Sequence, residues 1–371
     1  MSPKIWGRLC AVAEVLLVSK PLVAPWTDSA KNLVHTLLTQ ATGNHHFNCF
    51  VPKGGHLPLA HATCESIYAD AGNYAPGLGQ NMRVFWRLMR PDSQSIYHFF
   101  FAPNPRTNRM ARLALMFKGK KVIHTVVSQP KGDVPWFADV HVTLSEHTQK
   151  RLIQAGAKDV RLIQPGIVDL PPLSAEEKAK VRRAVQLPAD KPVVLFAGDL
   201  VAGGGAEVLA DAVLRLSKEV IVAFACRDKG EGHKEMRAQL SAKLGRRSFW
   251  LGQVHDMPAL AGAVDLQCLP ATNLWGKMDL PMVLIESLSR GVPVITTQVP
   301  PLNELGNEQQ GVIHVSPGDP DQLAARIESL LVDKAALTKL GELARLSTIE
   351  RFSAQRMVAA YDQLYTELAN E

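Results

Sequence analysis

Short uncharged apolar runs alternate along the chain with segments whose apolar residues recur every three or four positions. In the first half the runs are Val15–Ser19, Phe47–Val51, Ser95–Phe101 and Val122–Val127, followed by Asp139–Ser145 and Val160–Gln164, which each carry a single charge, Asp139 and Arg161. Runs this short, rich in Val, Ile and Phe, predict strands covered on both faces. Between them, Leu33, Leu37 and Leu38 predict a helix over 31–39, and 72–82, rich in Gly, Asn and Pro, predicts a loop. Two basic amphipathic segments follow, Met82–Arg90 and Arg106–Lys121. The same alternation resumes after a proline-rich linker over 166–190, with strands at 193–197, 220–225, 248–251 and within 263–269, helices at 206–216, 233–243 and 319–332, and a last helix at 353–369. Strand and helix in alternation predict an α/β chain with parallel sheets.

Residues 279–297 hold the densest chemical signal. Met282, Leu284, Ile285 and Leu288 give one helical face, Pro281 suits a first turn, and Asp279 is placed to cap it. Arg290 and Gly291 mark the stop, and Val292–Ile295 is a buried strand. Glu286 stands out as a carboxylate among apolar neighbours, against the simpler reading of a solvated helix face. Gly198-Asp-Leu-Val-Ala-Gly-Gly-Gly205 links a strand to a helix, where glycine backbone N–H groups can approach a phosphate. With Asp228 after the next strand, the same loop admits a nicotinamide-dinucleotide reading, although GxGxxG is not matched.

The 279–297 stretch resembles the donor segment of family 4 (group 1) retaining glycosyltransferases. In these a Glu, seven residues and a second Glu precede a small residue, a glycine and Pro-Val-Ile. Glu286 matches the second Glu, which holds the ribose of a nucleotide sugar. Met278 falls on the first position, which holds a sugar hydroxyl, and Asp279 lies one residue on. The resemblance implies a glycosyltransferase-B fold: two Rossmann-like doubly wound domains facing across a cleft, residues 1–170 on the acceptor side and 171–352 on the donor side. The C-terminal helix, 353–371, crosses back to the first domain. The implied reaction is metal-independent transfer of a hexose to an acceptor hydroxyl with retention of configuration. No cofactor is implied beyond the nucleotide-sugar co-substrate. Leu284 and Glu286 are then donor-site residues, together with Gly203, Gly204 and Gly205.

The family's basic pair for the diphosphate is replaced here by Asp199 and the glycine run, so Arg227 and Lys229 at the next strand end are the candidate substitutes. His98, Asn104 and Asp279 are the catalytic candidates, with a satisfied core histidine as the alternative for His98 and for His124. Asn104 and Ser128 stand in strand-end loops as candidate polar groups of the cleft. A nucleotide-sugar epimerase on the same fold and a non-catalytic nucleotide-sugar-binding protein are the rival functions.

Composition narrows the partners. The 371 residues are 46% hydrophobic and 20% charged, with a net charge of +6. Residues 1–170 carry 19 Lys and Arg against 10 Asp and Glu, so the first domain is the basic one. No zinc spacing or basic region points to nucleic acid. Five cysteines without a CxxC pair predict a reduced, cytoplasmic protein. Glu14 interrupts the apolar run behind Lys4 and Arg8, which argues against a signal peptide. Arg83, Arg87 and Arg90, interleaved with Trp86 and Phe85, make weak contact with the anionic inner face of a membrane a candidate. The acceptor classes left open are a glycan, a lipid-linked molecule and a small molecule.

Overall fold

The computed structural model describes residues 12–371 apart from 70–75 and positions 117, 131, 133, 202, 229 and 275. The first unit runs β1 (Glu14–Val18), α1 (Ser29–Gln40), β2 (His46–Pro52), β3 (Ala62–Tyr68), α2 (Leu78–Met89), β4 (Ile96–Phe101), α3 (Pro105–Leu115), β5 (Lys121–Val126), β6 (Val140–Thr143), α4 (Glu146–Gln154) and β7 (Val160–Leu162). The second runs α5 (Ala175–Ala184), β8 (Val193–Ala197), α6 (Ala206–Leu214), β9 (Ile221–Ala225), α7 (Glu231–Leu244), β10 (Ser248–Trp250), α8 (Met257–Ala263), β11 (Leu266–Leu269), α9 (Met282–Ser289), β12 (Val294–Thr297), β13 (Val312–Val315), α10 (Pro320–Val332), α11 (Lys334–Arg351) and α12 (Ala354–Ala369).

Among the described residues the strands form two sheets, ordered β3-β2-β1-β4-β5-β6-β7 and β10-β9-β8-β11-β12-β13. Every pairing within them is parallel. Strand order reverses between β1 and β4 in the first sheet and between β8 and β11 in the second. Chains leaving neighbouring strands in opposite directions open a crevice at their C-terminal ends, where α/β proteins bind ligands. These are two Rossmann-like doubly wound domains in the glycosyltransferase-B arrangement.

The last helix returns to the first sheet. Ile167 and Ser353 pair in a parallel bridge, so the two crossings of the domain boundary run side by side. Tyr361 and Tyr365 on α12 are fully buried against β4 and β5. There His98 Nδ1 bonds the Tyr365 hydroxyl and Nε2 bonds Thr125 Oγ1, each at 2.7 Å, while Tyr361 bonds Thr125 at 3.0 Å. His98 is therefore not a catalytic group of the cleft. It lies inside the sheet's α12-covered core with both ring nitrogens satisfied, and burial pushes it well below the ordinary histidine range.

Elsewhere the elements follow the apolar pattern with shifts at their ends. Of the loop predicted over 72–82, residues 72–75 lie outside the described residues and 78–82 are helical, because α2 begins at Leu78. β3, an edge strand with alternating half-buried positions, was not legible as a strand, and neither were β13, α8 and α11.

His124 and His141 on β5 and β6 join His98 as buried imidazoles, lowered mainly by burial to about 3 and about 4. A folded-state pKa below the unfolded value of about 6.5 means that the unfolded chain binds more protons in acid. The stability these groups contribute is complete above pH 6.5 and is lost as pH falls toward their folded values. Each adds a slope of up to about 1.4 kcal/mol per pH unit. Denaturant titrations at pH 7 and pH 5 should show a drop that a His124→Gln variant makes shallower; a parallel pH dependence in the two proteins would contradict the assignment.

Candidate functional site in the cleft

The crevice is a cavity of about 1480 Å³ lined by strand-end loops and helices of both domains. From the second domain come Gly198 and Asp199 after β8, Arg227 after β9, the 252–258 loop after β10, Gly276–Met278 before α9, and the exposed turn of α9 itself. From the first come Ser19–Ser29 after β1, Ala102 and Asn104 after β4, Val127 and Ser128 after β5, and faces of α1, α2 and α3. A second cavity of about 1070 Å³ adjoins it and shares Lys20, Asp28, Arg227 and Gln253. That one is basic, with Lys31, Lys234 and Arg237 in its wall and His233 buried there with both ring nitrogens unpartnered.

Helix α9 divides its side chains between cavity and core only partly as the sequence predicts: Met282, expected on the apolar face, reaches the cavity, and Leu284, expected in the donor site, does not. Met282, Val283 and Glu286 line the cavity, and Leu284, Ile285 and Leu288 pack into the core. Leu284 is thus core rather than donor-site, because it sits about 200° around the helix from Glu286 and is fully buried. Glu286 is 7% exposed. Burial pushes its carboxyl up to about 7; Asp256 adds to the rise and Arg290 opposes it. Arg290 is anchored on the carbonyls of Pro258 and Pro171 at 3.0 and 2.6 Å, so its opposition is fixed in place. Among the described residues no protein donor is recorded on the Glu286 carboxylate.

Asp279 does not cap α9, whose N-cap position is Pro281. It is 0% exposed, turned away from the cavity and hydrogen-bonded at 2.6 Å by Ser145 Oγ of the first domain. Burial raises its carboxyl to about 6, against the opposing bond from Ser145. The assignment of Asp279 as a catalytic group is therefore corrected: it is part of the joint between domains. The antiparallel bridge between Ser128 and Met278 lies beside it.

The glycine run is corrected as well. Gly203, Gly204 and Gly205 are not in the cavity wall. A Cβ on them would meet Asn273, the Asp199 carbonyl and the Pro270 carbonyl respectively, so the run lets this loop lie against the loop that follows β11. Gly203 and Gly205 also hold φ of 74° and 83°. Gly198, earlier in the same loop, is the glycine that lines the cavity.

Asn104 caps α3, accepting the Thr107 N–H at 2.9 Å, and its exposed side chain borders the cavity. Arg227 lies at the divide between the two cavities, and Lys229 falls outside the described residues. Asp28 caps α1 through the Lys31 N–H at 3.1 Å and also pairs with Lys20 at 2.8 Å. Sequence reasoning missed Lys277, Lys20, Gln253 and Asp256 in the wall. The signal available for Lys277 was its place next to Met278; for the 252–258 loop it was the end of a strand. Among the described residues no group of three or more His, Cys, Asp or Glu side chains is placed to hold a metal.

Residues 191–333 match the family described as glycosyl transferases group 1. The second domain is a group 1 glycosyl transferase domain. The chain is 27% identical over 183 residues to a lipopolysaccharide core biosynthesis glycosyltransferase of Rhizobium meliloti, covering 49% of this chain and 52% of that one. It is 30% identical over 230 residues to a D-inositol 3-phosphate glycosyltransferase of Thermobispora bispora, covering 58% and 52%. The chain thus spans about half the length of the curated relatives it matches. Its whole fold superposes on Anabaena HepE, solved in complex with UDP-glucose, with a TM-score of 0.76 at 16% identity, covering 96% of this chain and 100% of that one. Within the group 1 domain, Glu286 is the motif carboxylate that faces the cleft, and Asp279 is not.

Packing and ligand roles for the glycine loop separate experimentally. Gly205→Ala meets both a carbonyl and a left-handed φ, and should cost at least about 2 kcal/mol of stability. Gly198→Ala, whose Cβ would find Leu269 Cδ1 at 3.6 Å, should fold normally. Equal melting temperatures for the two variants would restore a ligand-cradle role for the run.

Proposed function

We propose that this protein transfers a hexose from a nucleotide sugar to an acceptor hydroxyl, with retention of configuration. The observation that carries the proposal is Glu286: a desolvated carboxylate at the motif position, facing a two-domain cleft. Ribose hydroxyls donate to it. Arg227 and Lys277 approach the diphosphate from two strand-end loops, and Asp256 and Gln253 border the nucleoside side. In the transfer the acceptor oxygen bonds the anomeric carbon and the bond from that carbon to the diphosphate breaks. The hydroxyl proton leaves with the diphosphate. Charge developing on the leaving group is met by these cations, whose effect grows as bound ligand displaces water from the cleft. This assigns charge stabilisation to the protein rather than to a metal. One observation favours the rival, a non-catalytic binder: no carboxylate faces the cleft at 278 or 279. Release of free nucleoside diphosphate that depends on an acceptor separates the two.

A thermal-shift panel of nucleotide sugars identifies the donor, and calorimetry then tests the site. Glu286→Gln should weaken donor binding by roughly 1.5–3 kcal/mol, the range for a hydrogen bond to a charged group. With a carboxyl near 7, wild-type affinity should fall as pH drops below 7, since protonation removes the acceptor, and the Gln variant should be flat. Arg227→Ala should weaken the nucleoside diphosphate far more than the nucleoside. Unaltered donor affinity in Glu286→Gln would remove the assignment.

The membrane contact belongs to the same proposal in a revised form. Arg87 is not part of a lipid-facing stripe. It is held at 2.7 Å by Glu65 and 2.9 Å by Asp92. What α2 and α3 do expose is Trp86, at 60%, with Met89, Leu113 and Met116, flanked by Arg83, Arg90 and Arg112. Apolar side chains ringed by arginines suit an anionic interface, where each cation adds about 1 kcal/mol before salt screening. Among the described residues no helix is long and apolar enough to cross a membrane. Co-sedimentation should favour anionic over neutral vesicles at low salt, Arg83→Ala should reduce that preference, and Trp86→Ser should weaken the binding itself. Equal partitioning to both lipids would exclude the contact.

A further inference from the structure

The cavity is larger than one nucleotide sugar needs, and its two halves differ in chemistry. Ligand pockets commonly hold about 300–1,000 Å³, against about 1480 Å³ here. The second-domain half presents Glu286, Arg227, Lys277, Asp256 and Gln253. The first-domain half is an arm bordered by α2 and α3, with Met82, Phe85, Leu88, Phe99, Phe101 and Met110 in its wall. This wall is the first sheet's second core left open. Leu88 and Phe99 belong to that cluster, and Phe85 and Phe101 pack against it. α2 packs on α3 and on the edge strand β3, so the side chains of the middle strand β4 remain within reach of the cleft. Contiguous apolar surface of this kind marks a place where something apolar binds, and the polar residues of the same half, Asn81, Asn104 and Thr107, offer partners to a headgroup.

The rim of the arm is cationic. Arg106 and Arg109 line it from α3, and Met110 follows them on the same helix face. The first turn of α3 carries no acidic residue, so the helix end adds to the positive field instead of being neutralised. Guanidinium groups at such a position recognise phosphate through paired N–H donors.

Resting on the glycosyltransferase reading, we infer that the acceptor is an amphiphile with an alkyl or isoprenoid tail. The tail occupies the α2–α3 arm, an anionic phosphate group lies at Arg106 and Arg109, and the acceptor hydroxyl points toward the donor half. The acceptor's tail, not only its sugar or headgroup, is then a determinant of specificity. The same two helices that border the arm expose Trp86, Met89 and Leu113, so the apolar surface and the arm belong to one helix pair.

Calorimetry on the full chain with farnesyl phosphate, farnesol and glycerol phosphate, each below its aggregation concentration, tests this. Farnesyl phosphate should bind at least tenfold more tightly than either of the others. Met110→Glu, at a position 38% exposed in the folded protein, should lose at least tenfold for farnesyl phosphate. Arg109→Ala should lose as much for farnesyl phosphate and nothing for farnesol. The nucleoside diphosphate, titrated in the same samples, reports folding and should bind all variants equally. Farnesyl phosphate binding no tighter than glycerol phosphate, or binding Met110→Glu with unaltered affinity, overturns the inference. If the nucleoside diphosphate fails to bind wild type while farnesyl phosphate binds as expected, the donor reading falls and the amphiphile site stands.

Discussion

One helix end joins the two domains. The N-terminus of α4 leaves backbone N–H groups without intrahelical partners, and two of them are satisfied from the opposite domain. The Glu304 carboxylate accepts from the N–H groups of Glu146 and His147, both at 2.7 Å. Ser145 caps the same helix through the Thr148 N–H at 3.1 Å, and its hydroxyl donates to Asp279. The helix dipole attracts the half-buried Glu304 carboxylate, and the fully buried Asp279 carboxylate would be costly without its Ser145 partner. Glu304 is itself held in place. Arg351, at the end of α11, donates to the carbonyls of Glu304 and Leu305 at 2.7 and 2.8 Å. One residue on, the Phe352 carbonyl accepts the Ile167 N–H at 2.8 Å, where the chain crosses between domains. Cleft geometry and the return of the C-terminal helix therefore depend on the same few contacts.

That joint accounts for what the sequence hid. The strands were legible because a parallel sheet covered on both faces needs uncharged apolar runs, and Val193–Ala197 is apolar throughout. Glu286 was legible because a helix with a clear apolar face leaves few positions for a carboxylate. Asp279 was misassigned because capping is decided by local geometry, whereas its partner is Ser145, 134 residues away. His98 was ambiguous for the same reason. A histidine on a central strand becomes core only when a helix from the far end of the chain supplies Tyr365. β3 and α11 escaped notice because half-exposed elements carry weak periodicity.

The glycine loop shows how one residue type serves two demands. A sequence with three consecutive glycines between a strand and a helix fits backbone contact with an anion. It also fits backbone contact with another loop, and no periodicity separates the two. Here the carbonyls of Pro270 and Asp199 occupy the space that a ligand would have needed. The loop after β11 is thereby packed against the loop after β8. The glycines serve the cleft wall through this packing rather than by lining it.

Glu286 and Asp279 are both buried carboxylates on one short segment, yet their environments assign them opposite tasks. Asp279 Oδ2 is bonded by a protein hydroxyl and Oδ1 is buried without a partner among the described residues, but the side chain is fully enclosed and does not line the cavity, so a ligand there cannot reach it. Glu286 is buried with no hydrogen-bond donor among the described residues, and Arg290, the cation that opposes its rise, is committed to two carbonyls. A carboxyl pushed up to about 7 by such surroundings is poorly solvated when charged. Two hydroxyl donors from a ligand restore what burial removed, so binding and ionisation reinforce each other. The same desolvation that makes the empty site unfavourable for charge strengthens each hydrogen bond made within it. A carboxylate at Met278 would have stood near Glu286 and raised it further. With Met278 in that place and Lys277 beside it, the segment presents one acceptor and one cation to the cleft, a balance suited to a ligand that carries both hydroxyls and phosphate.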